Sequence, residues 1–174
     1  KRPGEINVAT SGAAIRLAAK LLDSMAGTRM TEINYKGTPQ AVIALVSGEA
    51  SVGYPSTSAA LPQVNAGKLR AIAVTSAQRS SIAPDVPTIA ESGVPGYEAS
   101  AWFGVVVPAA TPREVIARLN NEINRAVNLP DMKERFAQQG AIPAPGSPEN
   151  FAAWIRAEIA KWGKVIKASG ARVD

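Results

Sequence analysis

Three short runs of small and hydroxyl-bearing residues carry the chemistry this sequence can offer. The first, Thr10-Ser11-Gly12-Ala13-Ala14, follows an apolar segment and opens a helical pattern. Tyr35-Lys36-Gly37-Thr38, with Pro39 behind it, repeats the arrangement, and Tyr54-Pro55-Ser56-Thr57-Ser58 supplies a third instance. A run of this kind at the carboxyl end of a parallel strand aims free backbone N–H groups and the positive end of a helix dipole at one spot, where an anion can sit. Ordinary N-capping by Thr10 or Ser11 is the alternative for the first run. Arg16, one turn into the first helix, can reach back to a carboxylate or form a surface ion pair. Lys36 is either a ligand contact or a solvated charge. Trp102, ahead of Phe103-Gly104, is a further candidate contact.

Other chemistries fall away. The 174 residues contain neither His nor Cys, which removes His- and Cys-based zinc sites, disulfides and every Ser-His or Cys-His nucleophile pair. An enzyme would need a carboxylate pair or an activated Lys, yet Glu5, Asp23, Glu32, Glu49, Asp85, Glu91 and Glu98 fall mostly on helix surfaces or loops of the expected elements. Gly12 has no glycine partner at dinucleotide spacing, and no Gly-Lys-Ser or Gly-Lys-Thr occurs, so no cofactor is expected. The net charge of +5 is spread thinly, with nine basic and seven acidic groups in residues 1–111 and ten and seven in 112–174. No stretch reaches the basic density of a nucleic-acid stripe, although a mild positive field concentrates small anions. The longest apolar runs, such as Trp102 to Ala110, fall well short of the roughly 20 residues a membrane span needs.

The elements that must position these residues follow from periodicity. Glu5 to Ala9 reads as a strand and Ala13 to Met25 as a helix with Ile15, Ala18, Leu22 and Met25 on one face, ended by Gly27. Met30 to Asn34 is the next strand. Thr38 is placed as N-cap of a helix that starts at Pro39 and runs to Ser47-Gly48. Ser51 to Tyr54 is a third strand, Ser56 to Ala66 a helix stopped by Gly67, and Leu69 to Val74 a fourth strand. Such alternation predicts an α/β lobe with a mainly parallel sheet over residues 1–96. Pro84, Pro87, Gly93, Pro95 and Gly96 then mark a loop-rich stretch with at most a short helix over Thr88 to Ser92. Residues 97–174 read as a crossover strand from Glu98 to Val107 followed by helices at Pro112 to Asn128, Asp131 to Gln139 and Pro148 to Ser169. Val115, Leu119, Ile123 and Val127 stripe the first of these helices; Phe151, Trp154, Ile155, Ile159, Trp162 and Ile166 stripe the last. Stripes of this size need a partner surface. They predict packing on a second, mostly absent lobe, or self-association through Trp154, Ile155, Ile159 and Trp162.

Tyr35-Lys36-Gly37-Thr38-Pro39, the run from Gly67 to Ser76, Pro84-Asp85-Val86-Pro87-Thr88-Ile89-Ala90-Glu91-Ser92-Gly93, Pro95-Gly96-Tyr97-Glu98 and Ala101-Trp102-Phe103-Gly104 together resemble the Bug family of extracytoplasmic solute receptors. The resemblance covers nearly the whole chain. It implies a two-lobed periplasmic binding protein without catalysis, which closes on a small carboxylate-bearing solute and delivers it to the membrane subunits of a tripartite tricarboxylate-type transporter. It also implies that most of a first lobe, with a signal peptide, lies ahead of Lys1. The family's ligand turns correspond to Thr10, Ser11, Gly12, Ala13 and Ala14, and to Tyr35, Lys36, Gly37 and Thr38. An effector-sensing α/β domain of a transcription regulator is the alternative function.

Overall fold

The computed structural model describes residues 4–170. Its regular elements are β1 (Asn7–Thr10), α1 (Ala13–Ala26), β2 (Thr31–Asn34), α2 (Thr38–Ser47), β3 (Val52–Gly53), α3 (Thr57–Asn65), α4 (Arg113–Val127), α5 (Pro130–Gln138) and α6 (Pro148–Ser169). The chain divides into two compact units. One takes in the described residues up to Ala101 together with those from Trp162 onward, and the other is Trp102–Lys161.

In the first unit the strands form a parallel sheet in the order β2-β1-β3, with Val8 opposite Glu32 on one side and Val52 on the other. As the central strand, β1 is buried at Val8, Ala9 and Thr10. Alternate residues of a strand face opposite sides. Ala9 packs on Ala41 and Ala44 of α2 and on Ala50, with Tyr35 and Leu45 against that cluster. Right-handed crossovers then set α1 on the other face, because the path from β1 to β2 and the path from β2 to β3 run in opposite directions along the sheet. Small residues at these contacts let helix and sheet approach closely. Gly53 shows how closely: a β-carbon there would lie 2.9 Å from Leu45 Cδ1. Gly27 and Gly48 end α1 and α2 in the left-handed conformation that glycine adopts without cost.

Three sequence expectations are corrected. The N-cap of α2 is Gly37, one residue before Thr38. Leu69 to Val74 forms no strand: Val74 makes a single parallel bridge to Thr88, and Ile72 is 65% exposed. An apolar run becomes a buried strand only when both faces are covered and both edges find partners. Val74 bonds to the loop at Pro87 and Ile89 instead. Glu98 to Val107 likewise contains no strand, and Phe103 is 98% exposed. Its apolar run has no backbone ladder to join among the described residues.

At Thr88, where the sequence allowed at most a short helix, the chain makes a hydrogen-bonded turn closed by a reciprocal pair. The Glu91 N–H donates to Thr88 Oγ1 at 3.0 Å and the Thr88 N–H donates to Glu91 Oε2 at 2.8 Å. This is the capping-box arrangement that Thr-x-x-Glu encodes. It holds the Glu91 carboxyl below the usual carboxylate range, through the Thr88 N–H first and Arg79 second.

In the second unit, α4 carries a ladder of asparagines. Asn120 and Asn124 each donate a side-chain amide to the Gly146 carbonyl, and the Gly146 N–H returns a bond to Asn124 Oδ1. Ser147 then caps α6 by accepting the Asn150 N–H.

Candidate ligand-binding site

The carboxyl ends of β1, β2 and β3 are Thr10, Asn34 and Gly53, so all three hydroxyl-rich turns leave the same edge of the sheet. The turn after β1 leads toward β2 over one face, whereas the chain beyond β3 continues on the face that carries α2. That divergence makes a topological switch point between β1 and β3, where the loops part and leave a crevice.

Each helix that opens at this edge lacks a capping side chain: the N-caps are Gly12, Gly37 and Ser56, and none makes a side-chain cap bond. Capping by Thr10 or Ser11, one reading of the first run, is therefore overturned. Gly12 takes φ +94°, a conformation open to glycine and strained for other residues, and so sets the turn into α1. The first internal bond of α1 is from the Arg16 N–H to the Gly12 carbonyl. The N–H groups of Ala13, Ala14 and Ile15 precede it and have no acceptor within the helix. At α2 the Ala41 N–H bonds the Gly37 carbonyl, and the Lys36 N–H is taken by Gln40 Oε1 at 3.2 Å.

Side chains around the edge are held in different ways. Thr10 is wholly buried, and its hydroxyl donates to Glu32 Oε1 at 3.1 Å rather than to the crevice. Arg16 does find a carboxylate, again Glu32, with Nε 2.5 Å from Oε1. Tyr35 donates its hydroxyl to Glu49 at 3.0 Å; partial burial and this carboxylate raise its pKa. Tyr54 is pushed up to about 12 by burial, with the Asp23 charge adding to the shift. Lys36 is exposed, Ser11 half-buried, and Ser56 lies 3.4 Å from the Ser58 hydroxyl.

Thr38 and Ser56 come together in a groove of about 450 Å³ between α2 and α3, lined also by Pro39, Val42, Ile43, Ala59 and Gln63. Thr10, Ser11, Gly12, Ala13 and Ala14 do not line it. Trp102 belongs to the second unit, where its indole N–H donates to the buried Glu158 at 3.2 Å and its ring meets Phe151 edge-on at 5.7 Å. Glu32, Gln40 and Glu49 were not singled out from sequence as site residues. Only the reach of Arg16 toward some carboxylate signalled the first of them. Among the described residues no group of His, Cys, Asp and Glu could hold a metal ion, and no helix is long and apolar enough to cross a membrane.

Over residues 1–171 the sequence matches the model for the tripartite tricarboxylate transporter family receptor. The chain belongs to this receptor family. It is 36% identical over 174 residues to Protein BugT of Bordetella pertussis, covering 99% of the chain and 53% of that protein. The structure of R. palustris Rpa4515 with adipate superposes with a TM-score of 0.80 at 34% identity, over 97% of this chain and 57% of that one. MatC from Rhodopseudomonas palustris, with bound malate, gives a TM-score of 0.72 at 29% identity, over 94% and 57%. The chain spans about half the length of the curated relatives it matches. Family membership accounts for the α/β architecture.

Proposed function

We propose that the chain is part of a periplasmic solute receptor that holds a small carboxylate-bearing solute, without transforming it, and passes it to the membrane subunits of a tripartite tricarboxylate-type transporter. Residues 1–96 form its solute-binding lobe. Residues 97–174 are the crossover and the helices that pack on a second lobe, with Tyr97 remaining buried against the first. The observation that carries the reading is the row of three helix starts at one sheet edge, none capped by a side chain. Uncapped N–H groups next to a switch point suit an anion, since each donor to a charged group contributes about 1.5 to 3 kcal/mol. Within this reading Ser11, Gly12, Ala13, Ala14, Gly37 and Thr38 contact the solute, Lys36, Tyr35, Tyr54 and Ser56 flank it, and Thr10 and Arg16 support the turn from beneath. The adipate and malate of the two similar structures support a di-acid as the class.

Calorimetric titration of the intact protein with a series of di- and tricarboxylates and their neutral amides tests this. Acids bind and amides do not, and replacing Ser11 and Thr38 together by Ala weakens the acids. Equal binding of acid and amide would remove the anion site.

A further inference from the structure

The turn between β1 and α1 is held from both sides by one oxygen atom. Thr10, just before the turn, donates its hydroxyl to Glu32 Oε1 at 3.1 Å, and Arg16, in the first turns of α1, brings Nε to the same Oε1 at 2.5 Å. Residues Ser11 to Ile15 thus lie in a loop closed by a carboxylate from the neighbouring strand. The Thr10 carbonyl also accepts the Tyr35 N–H at 2.8 Å, so the residue that starts the first turn fixes the start of the second. Side-chain exposure of 26% for Arg16 and 22% for Glu32 leaves the pair partly shielded from water. A partly shielded, charge-assisted bond keeps its direction better than a solvated one.

We propose that Glu32 is a positioning residue for the solute-binding turn, an inference that rests on the receptor reading above. The turn cannot hold its own shape by side chains: Gly12 has none, and α1 has no side-chain cap. Glu32 replaces the missing cap from outside, fixing the directions in which the Ala13 and Ala14 N–H groups point. It does not touch the solute, and Arg16 balances its charge, so the carboxylate steers the anion site without repelling its ligand.

The test uses the intact protein with adipate and malate as probes, and amide hydrogen exchange as a readout independent of either. Glu32→Gln keeps an oxygen acceptor in place; Glu32→Ala removes it. Glu32→Ala should weaken binding about tenfold, which corresponds to about 1.4 kcal/mol, while Glu32→Gln stays within about threefold of the parent. Exchange at Arg16 and Tyr35, whose N–H groups donate to the Gly12 and Thr10 carbonyls, should rise about tenfold in Glu32→Ala, with Leu21 and Leu22 unchanged. If Glu32→Ala fails to fold, Thr10→Val and Arg16→Met each cut one arm of the tie and should give intermediate losses. Parent-like affinity and exchange in Glu32→Ala, or exchange rising evenly along α1, would overturn the proposal. Failure of the parent to bind either probe sinks the receptor reading instead, and the exchange pattern at Arg16 and Tyr35 still decides the role of Glu32.

Discussion

The hydroxyl of Tyr97 donates to the carbonyl of Ala18, in the middle of α1, at 3.0 Å and across 79 residues of sequence. Tyr97 is 1% exposed, and Ala18 is buried beside it. This bond ties the end of the proline-rich loop to the helix that opens the candidate site. An aromatic body in the core with its polar tip satisfied is the usual solution for a buried tyrosine.

Removing only the hydroxyl separates packing from hydrogen bonding. The Ala18 carbonyl still has its helical partner, so Tyr97→Phe should cost about 1 kcal/mol, whereas Tyr97→Ala, which empties a core site, should cost about 3 to 5. Denaturant unfolding of both variants checks this. Equal losses would mean that the ring contributes nothing beyond its hydroxyl.

All three tyrosines of the chain titrate above their ordinary value. Tyr54 is raised to about 12 by burial and Asp23; Tyr97 is raised by burial and then by Tyr54; Tyr35 is raised by burial and Glu49. A neutral buried phenol binds its proton more tightly folded than unfolded. The stabilisation is complete below the unfolded pKa of about 10 and is lost as pH rises through the folded values. Ultraviolet titration of a Tyr35→Phe variant, which leaves only the two buried phenols, should therefore show no tyrosinate forming near pH 10 in the folded protein, with unfolding setting in as the pH approaches 12. A tyrosine that ionises near pH 10 while the fold persists would contradict the buried placement.

The alternation from β1 to α3 was legible because each element announces itself locally. Gly27 and Gly48 stop helices, Pro39 starts one, and β1 is apolar through its centre. Each observed boundary lies within two residues of its expected place, although one residue lost at each end leaves β3 only Val52 and Gly53 of the expected Ser51 to Tyr54. What failed depended on partners. Ile72 and Phe103 sit in runs with strand composition, but a strand exists only where another backbone pairs with it, and composition does not say whether one does. The candidate site divides in the same way. Its turns could be read from small residues, whereas the role of Glu32 follows from a strand register that sets Val8 opposite it. Thr88-Ile89-Ala90-Glu91 is the reverse case, a capping box written plainly in sequence and overlooked within a proline-rich loop.

Gly104 offers a local test within the second unit. A β-carbon there would overlap the ring of Phe151, which packs edge-on against Trp102. Gly104→Ala should displace the Phe151 ring and cost about 1 to 3 kcal/mol by overpacking. In a Trp154→Phe, Trp162→Phe background the emission of Trp102 reports the move directly. An unchanged Trp102 spectrum at unchanged stability would show that the chain relaxes around the added methyl.

Association of the 174-residue chain follows from what its helices leave open. Trp154 and Ile159 on α6, 43% and 67% exposed, and Val115 and Leu119 on α4 present large apolar side chains to solvent, as do Phe103, Val105 and Val106 on the extended segment before them. Each such side chain gains about 1.5 to 3 kcal/mol on full burial. Two or three buried at once exceed the loss of freedom on pairing only when they are contiguous, and Ile155, next to Trp154 and one turn before Ile159, joins the two. The chain on its own should therefore scatter light as a dimer or larger species at micromolar concentration. Trp154→Glu with Ile159→Lys should shift it toward monomer, because both changes put charge on the stripe without touching the buried Val165 or Glu158. A strictly monomeric parent would mean that the stripe is too broken to drive pairing. Association that survives the double change would place the contact on the Phe103 to Val106 segment, whose exposed Phe103, Val105 and Val106 are residue types suited to pairing edge to edge with a second copy.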